Sequence, residues 1–183
     1  MFGAMRSPSG WGTNRDPMDA AELIARYIQG ERDFREIVLS GLSLWKVNLS
    51  EADLSGADLV GVDLSQANLT RINLSGANLT GANLRQANLI DAKMILTTLR
   101  GANLERVELI HANLAQADLS WANLSGANLS GANLSAANLS DAKIDRLILR
   151  GANLKKAKLN LSQLNASNID LAWTVMPDGL IHN

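Results

Sequence analysis

The chain has 183 residues, of which 46% are hydrophobic but only 4% aromatic, and its formal net charge is −1. This length fits one domain with an aliphatic core, and the nearly neutral charge offers no basic surface for nucleic acid. The sequence contains no cysteine, which excludes disulfides, thiolate metal sites and cysteine nucleophiles. No run of residues is long and apolar enough for a membrane span or a secretory signal, so we expect a cytoplasmic protein.

The N-terminal part is predicted to contain a leader and one short helix. Residues 1–15 mix Gly, Pro, Ser and Arg without periodicity, which is typical of a flexible leader. A capping helix is predicted within residues 16–33, because Asp16 and Pro17 fit an N-cap and a first helical position and Gly30 fits a C-terminal stop. Its apolar residues recur at helical spacing and should cover the first unit of the following repeat. They are Ala20, Leu23, Ile24, Tyr27 and Ile28.

A five-residue frame runs from Phe34 to Ile169 and determines the fold. Twenty-four of its twenty-eight central positions are leucine, and from Ala52 to Ala172 the residue two places earlier is alanine in eighteen of twenty-five cases. In an extended segment, residues two apart point the same way, so alanine and leucine should both point inward. The Ser and Gly that often follow favour a turn. The frame therefore predicts an all-β solenoid of stacked polygonal coils about 4.8 Å apart.

These units resemble the pentapeptide-repeat family, whose units read approximately A(D/N)LXX. Residues 52–56 (ADLSG) and 122–126 (ANLSG) match this pattern at every position. The resemblance covers residues 34–173 and implies a right-handed quadrilateral β-helix of about seven 20-residue coils, a handedness that agrees with parallel strand crossovers. It is strongest for the leucine-rich, near-neutral members that are abundant in cyanobacteria.

Residues 174–183 are predicted to be a C-terminal cap or tail. A Pro-Asp-Gly turn signal at residues 177–179 lies among apolar residues. These residues either fold over the last coil as a lid, which is the favoured interpretation, or contact a second copy, so that the chain is a monomer or an end-to-end homodimer. They are Trp173, Val175, Met176, Leu180 and Ile181.

The repeats offer no catalytic, cofactor-binding or metal site that we can predict. His111 and His182 are the two histidines, and neither has a partner at metal-ligand spacing. Most serines follow a central leucine, where they fit a turn rather than a nucleophile. The asparagine column that contains Asn68, Asn88 and Asn128 is interpreted as structural, since the aspartate nonapeptides that bind calcium between coils are missing. We therefore do not expect an enzyme.

One outward cluster is a candidate interaction patch. Ile90 and Ile110 are twenty residues apart and should stack on one side, with Ile95 and Leu96 on the adjoining side. Clustered apolar surface indicates an interaction site, although random tolerance of strand-favouring residues is an equal alternative. The patch and the repeat predict a non-enzymatic structural or protein-interaction rod with an unidentified protein partner and no direct nucleic-acid binding.

The alternative function is a DNA mimic that binds DNA gyrase or another topoisomerase. The resemblance implies it, because some family members protect gyrase with a strongly acidic rod of this shape. Glu51, Asp53, Asp58 and Asp63 make the start of the repeat acidic, but lysines and arginines predominate near its end. The near-neutral charge and the leucine-dominated central positions do not favour the mimic. The charge asymmetry is interpreted as solvation of the two ends rather than as a means of orienting a partner.

Overall fold

The structure is a computed structural model that describes residues 18–166 and 168–182. Its helices are α1 (Ala20–Ile28) and α2 (Leu161–Ala166), and its strands are β1 (Thr174–Val175) and β2 (Ile181–His182). The chain between the helices forms parallel bridges that join residues twenty apart, such as Asp53 with Asn73. The predicted leader, residues 1–15, lies outside the described residues. None of the described helices is long and apolar enough to cross a membrane.

Each five-residue unit supplies one side of a coil. The residue before the central leucine bridges to the next coil: Leu54 N donates to Asn73 O at 2.8 Å, and Asn73 N donates to Ala52 O at 2.9 Å. Two turn residues then form the corner, and the second has a left-handed backbone, as at Gly56 (φ 69°) and Gln66 (φ 57°). Because bridges recur every five residues and join residues twenty apart, four sides make one coil. The expected β-solenoid is confirmed.

The outward Asn and Asp residues stabilise the corners and link the coils. The Asp63 carboxylate accepts a hydrogen bond from Ser65 N at 3.0 Å, which closes a local turn that Asx side chains favour. The amide of Asn83 donates to the same carboxylate at 3.0 Å, and the amide of Asn103 donates to Asn83 at 3.4 Å. This outward column is therefore a ladder of side-chain hydrogen bonds, which is a structural role.

The core consists of the inward alanine and leucine columns, as the frame predicts. Ala127 and Leu129 are both fully buried. Thr97 also lies inside: it occupies an alanine site, and its hydroxyl donates to Leu74 O at 2.7 Å. The buried hydroxyl is thus satisfied by backbone.

Helix α1 differs from the prediction at its start and in its buried face. Asp19, rather than Asp16, is the N-cap, because its carboxylate accepts a hydrogen bond from Glu22 N at 2.8 Å; Asp16 and Pro17 lie outside the described residues. Gly30, with φ 97°, follows the helix as predicted. Leu23 packs in the core beside the first coil, and Tyr27 reaches Ser50 O at 2.9 Å. The predicted apolar stripe is divided, however, because Ile24 and Ile28 are exposed.

The five-residue frame changes register before the end of the repeat. Asn138 bridges to Lys158, twenty residues on, but the next two bridges, Ile148 to Asp170 and Asn153 to Val175, join residues twenty-two apart. Helix α2 lies in the intervening segment, and its Leu164 is buried. Leu171, rather than Ile169, then enters the core, so the expectation of an unbroken frame to Ile169 is wrong.

The C-terminal segment folds back on the last coil. Strand β1 pairs antiparallel with β2, with Val175 opposite Ile181. The Thr174 hydroxyl is buried and donates to Leu149 O at 2.6 Å. Val175 also bridges in parallel to Asn153 of the preceding coil. Strand β2 therefore lies along the edge of β1 that points away from the coils.

Candidate functional site

One side of the solenoid, called here the Lys93 face, has a lysine in the middle of its outward column. Its outward column passes through bridged residues Asp53, Asn73, Lys93, Asn113 and Asn133. The amide of Asn73 donates to Asp53 at 3.0 Å, and the amide of Asn133 donates to Asn113 at 3.1 Å. Lysine has no carbonyl acceptor to continue this ladder. Within the described ranges, Lys93 forms neither a ladder hydrogen bond nor an ion pair, so its ammonium is available to a partner.

Aliphatic side chains lie on both corners that border the Lys93 face. Ile90 and Ile110 are on one corner in successive coils, because Asp91 N donates to Ile110 O at 3.0 Å. Ile95 and Leu96 form the other corner, and Leu96 has a left-handed backbone and a side chain that is 59% exposed. Ile90, Ile95 and Ile110 are half-buried. The structure thus places the four residues of the predicted patch around Lys93.

This arrangement suits contact with a protein surface. Apolar side chains on the two corners lose water on contact, and the central ammonium can pair with a carboxylate of the partner. The neighbouring coils carry Ser75 and Gly76 or Ala115 and Gln116 at the corner of Ile95 and Leu96, so the large aliphatic side chains are confined to two coils. We call Lys93 and these four aliphatic residues the Lys93 patch.

The other candidate polar residues have structural roles. The ring of His111 lies against Gly131, since a Cβ built on that glycine would approach His111 Nδ1 to 2.4 Å. The Ser125 hydroxyl donates to Asn123 Oδ1 at 2.7 Å, as expected of a turn serine. The Asn128 amide donates to Glu108 at 3.0 Å. Across the described residues, no group of three or more His, Asp or Glu side chains is placed to hold a metal ion.

The charged residues of the two ends differ in their pairing. Near the start, Arg71 Nε donates to Glu51 at 3.1 Å, and this hydrogen bond is the main cause that lowers the pKa of Glu51. Near the end, Arg150 pairs with Asp170 at 3.2 Å. Several other cations there form no ion pair with any described residue. They are Lys143, Arg146, Lys155, Lys156 and Lys158.

The C-terminal end carries a second apolar surface. Trp173, Leu180 and Ile181 are exposed, whereas Val175 and Met176 are half-buried. A groove of about 530 Å³ lies among seven residues of this end. They are Leu161, Met176, Pro177, Asp178, Leu180, Ile181 and His182.

Three exposed features were not singled out from the sequence. Lys93 points outward, and its place in an interrupted ladder depends on which residues stack. Trp45 and Trp121 are both exposed at corners, and Trp121 has a left-handed backbone with φ 63°. The sequence signal that identifies these two residues is an aromatic side chain at a corner position where Ser or Gly is usual. The two tryptophans lie on different corners and do not form one surface.

Comparison with protein families gives one match. The family described as pentapeptide repeats matches eight copies, over residues 33–71, 67–106, 102–141 and 132–171. These ranges include nearly the whole solenoid. A comparison with curated proteins gave no significant match.

Several solved structures are similar to this chain. HetL, a pentapeptide repeat protein involved in heterocyst differentiation regulation from the cyanobacterium Nostoc sp. strain PCC 7120, is 30% identical over 90% of this chain and all of its own, with a TM-score of 0.35. Rfr23 from the cyanobacterium Cyanothece 51142 is 28% identical over 82% of this chain and 99% of its own, with a TM-score of 0.48. QnrB1, a plasmid-mediated fluoroquinolone resistance protein, is 22% identical over 73% of this chain and 80% of its own, with a TM-score of 0.53. At that identity, the likeness to QnrB1 shows the fold alone.

Proposed function

The chain belongs to the pentapeptide repeat family, and on this premise we propose that it is a non-enzymatic rod that presents the Lys93 patch to a protein partner. The rod is proposed to comprise residues 34–173 as a right-handed quadrilateral β-helix of about seven coils. Residues 16–33 are proposed to close one end and residues 174–183 the other.

The observation that carries this proposal is the clustering of aliphatic side chains around an unpaired cation. Ile90, Ile95, Leu96 and Ile110 all point away from the core, on two corners that flank Lys93. Elsewhere the same corner positions are mostly polar or glycine. Exposed apolar residues that are clustered rather than scattered mark interaction sites. A partner surface with aliphatic side chains around a carboxylate would match this patch.

The packed interior supports an interaction role rather than catalysis. From Ala102 to Leu134, each inward position carries alanine, valine or leucine and is buried. Catalytic sites need convergent polar groups in a concave, partly water-excluding pocket. A core filled by small repeated aliphatic contacts leaves the outer surface as the place where this rod acts.

The charge distribution does not favour the alternative of a DNA mimic that binds a topoisomerase. Asp53, Asp58 and Asp63 lie in one early coil, but residues twenty further along their columns are Asn73, Asn78 and Asn83. Three columns later reach Lys93, Lys143 and Lys158. The rod therefore lacks the continuous acidic rows that would imitate the phosphates of duplex DNA.

The C-terminal segment is proposed to act mainly as a lid. Thr174 and Val175 are tied to the preceding coil by the hydroxyl bond to Leu149 and the bridge to Asn153. A lid at this place protects an open solenoid edge from pairing with other chains. Trp173, Leu180 and Ile181 remain exposed on it, and an end-to-end homodimer through these residues is the competing proposal.

The proposed function is tested by replacing the aliphatic corner. The double variant Ile90→Ser with Ile110→Ser should keep the fold, because both side chains point outward, and should lose the partner that the parent retains from an extract of the native host. A matched control on the same corner is Thr70→Ser with Ser130→Thr, which should retain the parent's binding profile. An unchanged profile for the Ile90 and Ile110 variant would remove the Lys93 patch as the binding surface.

A further inference from the structure

The side of α1 that faces solvent is apolar along its whole length. Ala21, Ile24, Ala25 and Ile28 are exposed and fall on one face at i, i+3, i+4 and i+7 spacing; Ile24 is 38% and Ile28 77% exposed. The helix contains two charged residues, Glu22 and Arg26. A surface helix normally presents charged or polar residues to water, and a helix that is apolar all round is normally buried. We call these four residues the α1 stripe.

The opposite side of α1 is already fixed against the rod, so rotation cannot bury the α1 stripe. Leu23 is fully buried. The Tyr27 hydroxyl donates to Ser50 O at 2.9 Å. Arg26 points inward, where its Nε donates to Glu31 at 2.7 Å and its guanidinium lies 5.6 Å from the centre of the Phe34 ring. Turning the helix to bury Ile24 and Ile28 would break these contacts and leave Leu23 in water.

We propose that the α1 stripe is the contact of a two-fold symmetric dimer, in which α1 of one copy packs antiparallel on α1 of a second copy. Ala21 and Ala25 form a shallow row beside the ridge of Ile24 and Ile28. In an antiparallel pair, the isoleucine ridge of each copy fits the alanine row of the other. The same patch thus serves both copies, as a two-fold interface requires.

The charges at the two ends of α1 are complementary in this arrangement. Asp19 lies just before the first turn, and Glu22 lies within it. Arg32 lies at the other end, where its guanidinium is 3.8 Å from the centre of the Tyr27 ring and donates to Tyr27 O at 2.8 Å. An antiparallel pair brings the carboxylates of one copy towards Arg32 of the other at both ends, and the two helix dipoles also oppose.

The contact is small, so the dimer should form reversibly as concentration rises. The surface area buried by one pair of nine-residue helices lies at or below the smallest area typical of specific protein interfaces, about 1,000 Å². Sedimentation equilibrium of the full chain should show a monomer–dimer equilibrium. Ile24→Ser with Ile28→Ser should abolish it, whereas Leu180→Ser with Ile181→Ser, at the other apolar end, should leave it unchanged.

Cysteine crosslinking tests the antiparallel register directly, since the chain has no cysteine of its own. Ala25→Cys lies beside the two-fold axis and should form a disulfide-linked dimer under mild oxidation. Gln29→Cys, exposed at the C-cap of the same helix, should not, because its symmetry mate would be about 13 Å away along the axis. A parent that stays monomeric at every concentration, as it would if residues 1–17 or another protein covered the stripe, overturns the proposal. So does a dimer lost only on substitution of Leu180 and Ile181, or equal crosslinking through Ala25→Cys and Gln29→Cys.

Discussion

Ile148 pairs with Asp170, twenty-two residues further along the chain, whereas Asn138 pairs with Lys158, which is twenty residues further. The segment between these bridges contains α2, which replaces one side of the last coil. Because of these two additional residues, the side chains that enter the core after α2 lie two positions later in the sequence than the five-residue frame predicts. Leu171 therefore continues the core, and Ile169 is only half-buried.

The first prediction tests this change of register. Leu171→Ala should lower the free energy of unfolding by about 2–4 kcal/mol, because it leaves a cavity under the C-terminal segment. Ile169→Ala should cost clearly less, since its side chain is already partly in water. Urea denaturation of both variants beside the parent measures the difference. A larger loss for Ile169→Ala would mean that the five-residue frame continues without interruption.

The second prediction concerns the width of the core. Ala127→Leu should be about as damaging as Leu129→Ala, each costing about 2–4 kcal/mol, because one overpacks a buried position and the other empties one. Chemical denaturation of the two variants provides the comparison. An Ala127→Leu variant as stable as the parent would contradict this packing, because it would show that a larger side chain fits at the alanine site.

The third prediction uses the 20-residue repeat of the backbone pairing. Deleting Gly101 to Ser120 removes one full coil and joins two equivalent corners, so a shorter folded rod should result. Inserting one alanine between Asn128 and Leu129 should instead turn following side chains to the wrong face and lower the melting temperature sharply. Circular dichroism during heating distinguishes the two outcomes. A harmless insertion together with an unfolded deletion variant would contradict the stacked coils.

The fourth prediction is a pH dependence that involves Asp63. The hydrogen bond from the Ser65 hydroxyl, followed by those from Ser65 N and the Asn83 amide, lowers the pKa of Asp63 in the folded chain. A lowered folded pKa gives stability that is present above the unfolded value of about 4 and is lost as pH falls through the folded value. The parent should therefore lose more stability than Asp63→Asn between neutral and acid pH. Asparagine keeps the side-chain acceptor, so urea denaturation at several pH values isolates the charge. Equal losses for parent and variant would exclude this contribution.

Much of the fold could be predicted because the period of five fixes which side chains point inward. The register change could not, since Leu159, Leu164 and Ile169 continue the apolar spacing across α2. The start of α1 was predicted at Asp16, whereas the N-cap is Asp19, and the hydrogen bond from Glu22 N that identifies it is not visible in the sequence.

The candidate site could be predicted from the sequence only in part. The spacing of Ile90 and Ile110 places them on one side of the rod. The significance of Lys93 depends on stacking: it lies between Asn73 and Asn113 in a column where the amides of Asn73 and Asn133 donate to the preceding coil. The exposed α1 stripe could not be predicted, because its residues have the spacing of a buried face.

Site-specific photo-crosslinking in the native host tests most directly whether the Lys93 patch contacts a protein. A benzophenone amino acid at Leu96 should give one discrete light-dependent adduct with a partner. The same residue at Ala136 should not, although Ala136 is exposed at the same corner position and has nearly the same backbone (φ 57° against 58° at Leu96). Substituting Ile90 and Ile110 by serine should abolish the Leu96 adduct. No adduct at Leu96, or equal adducts at Leu96 and Ala136, would contradict the account.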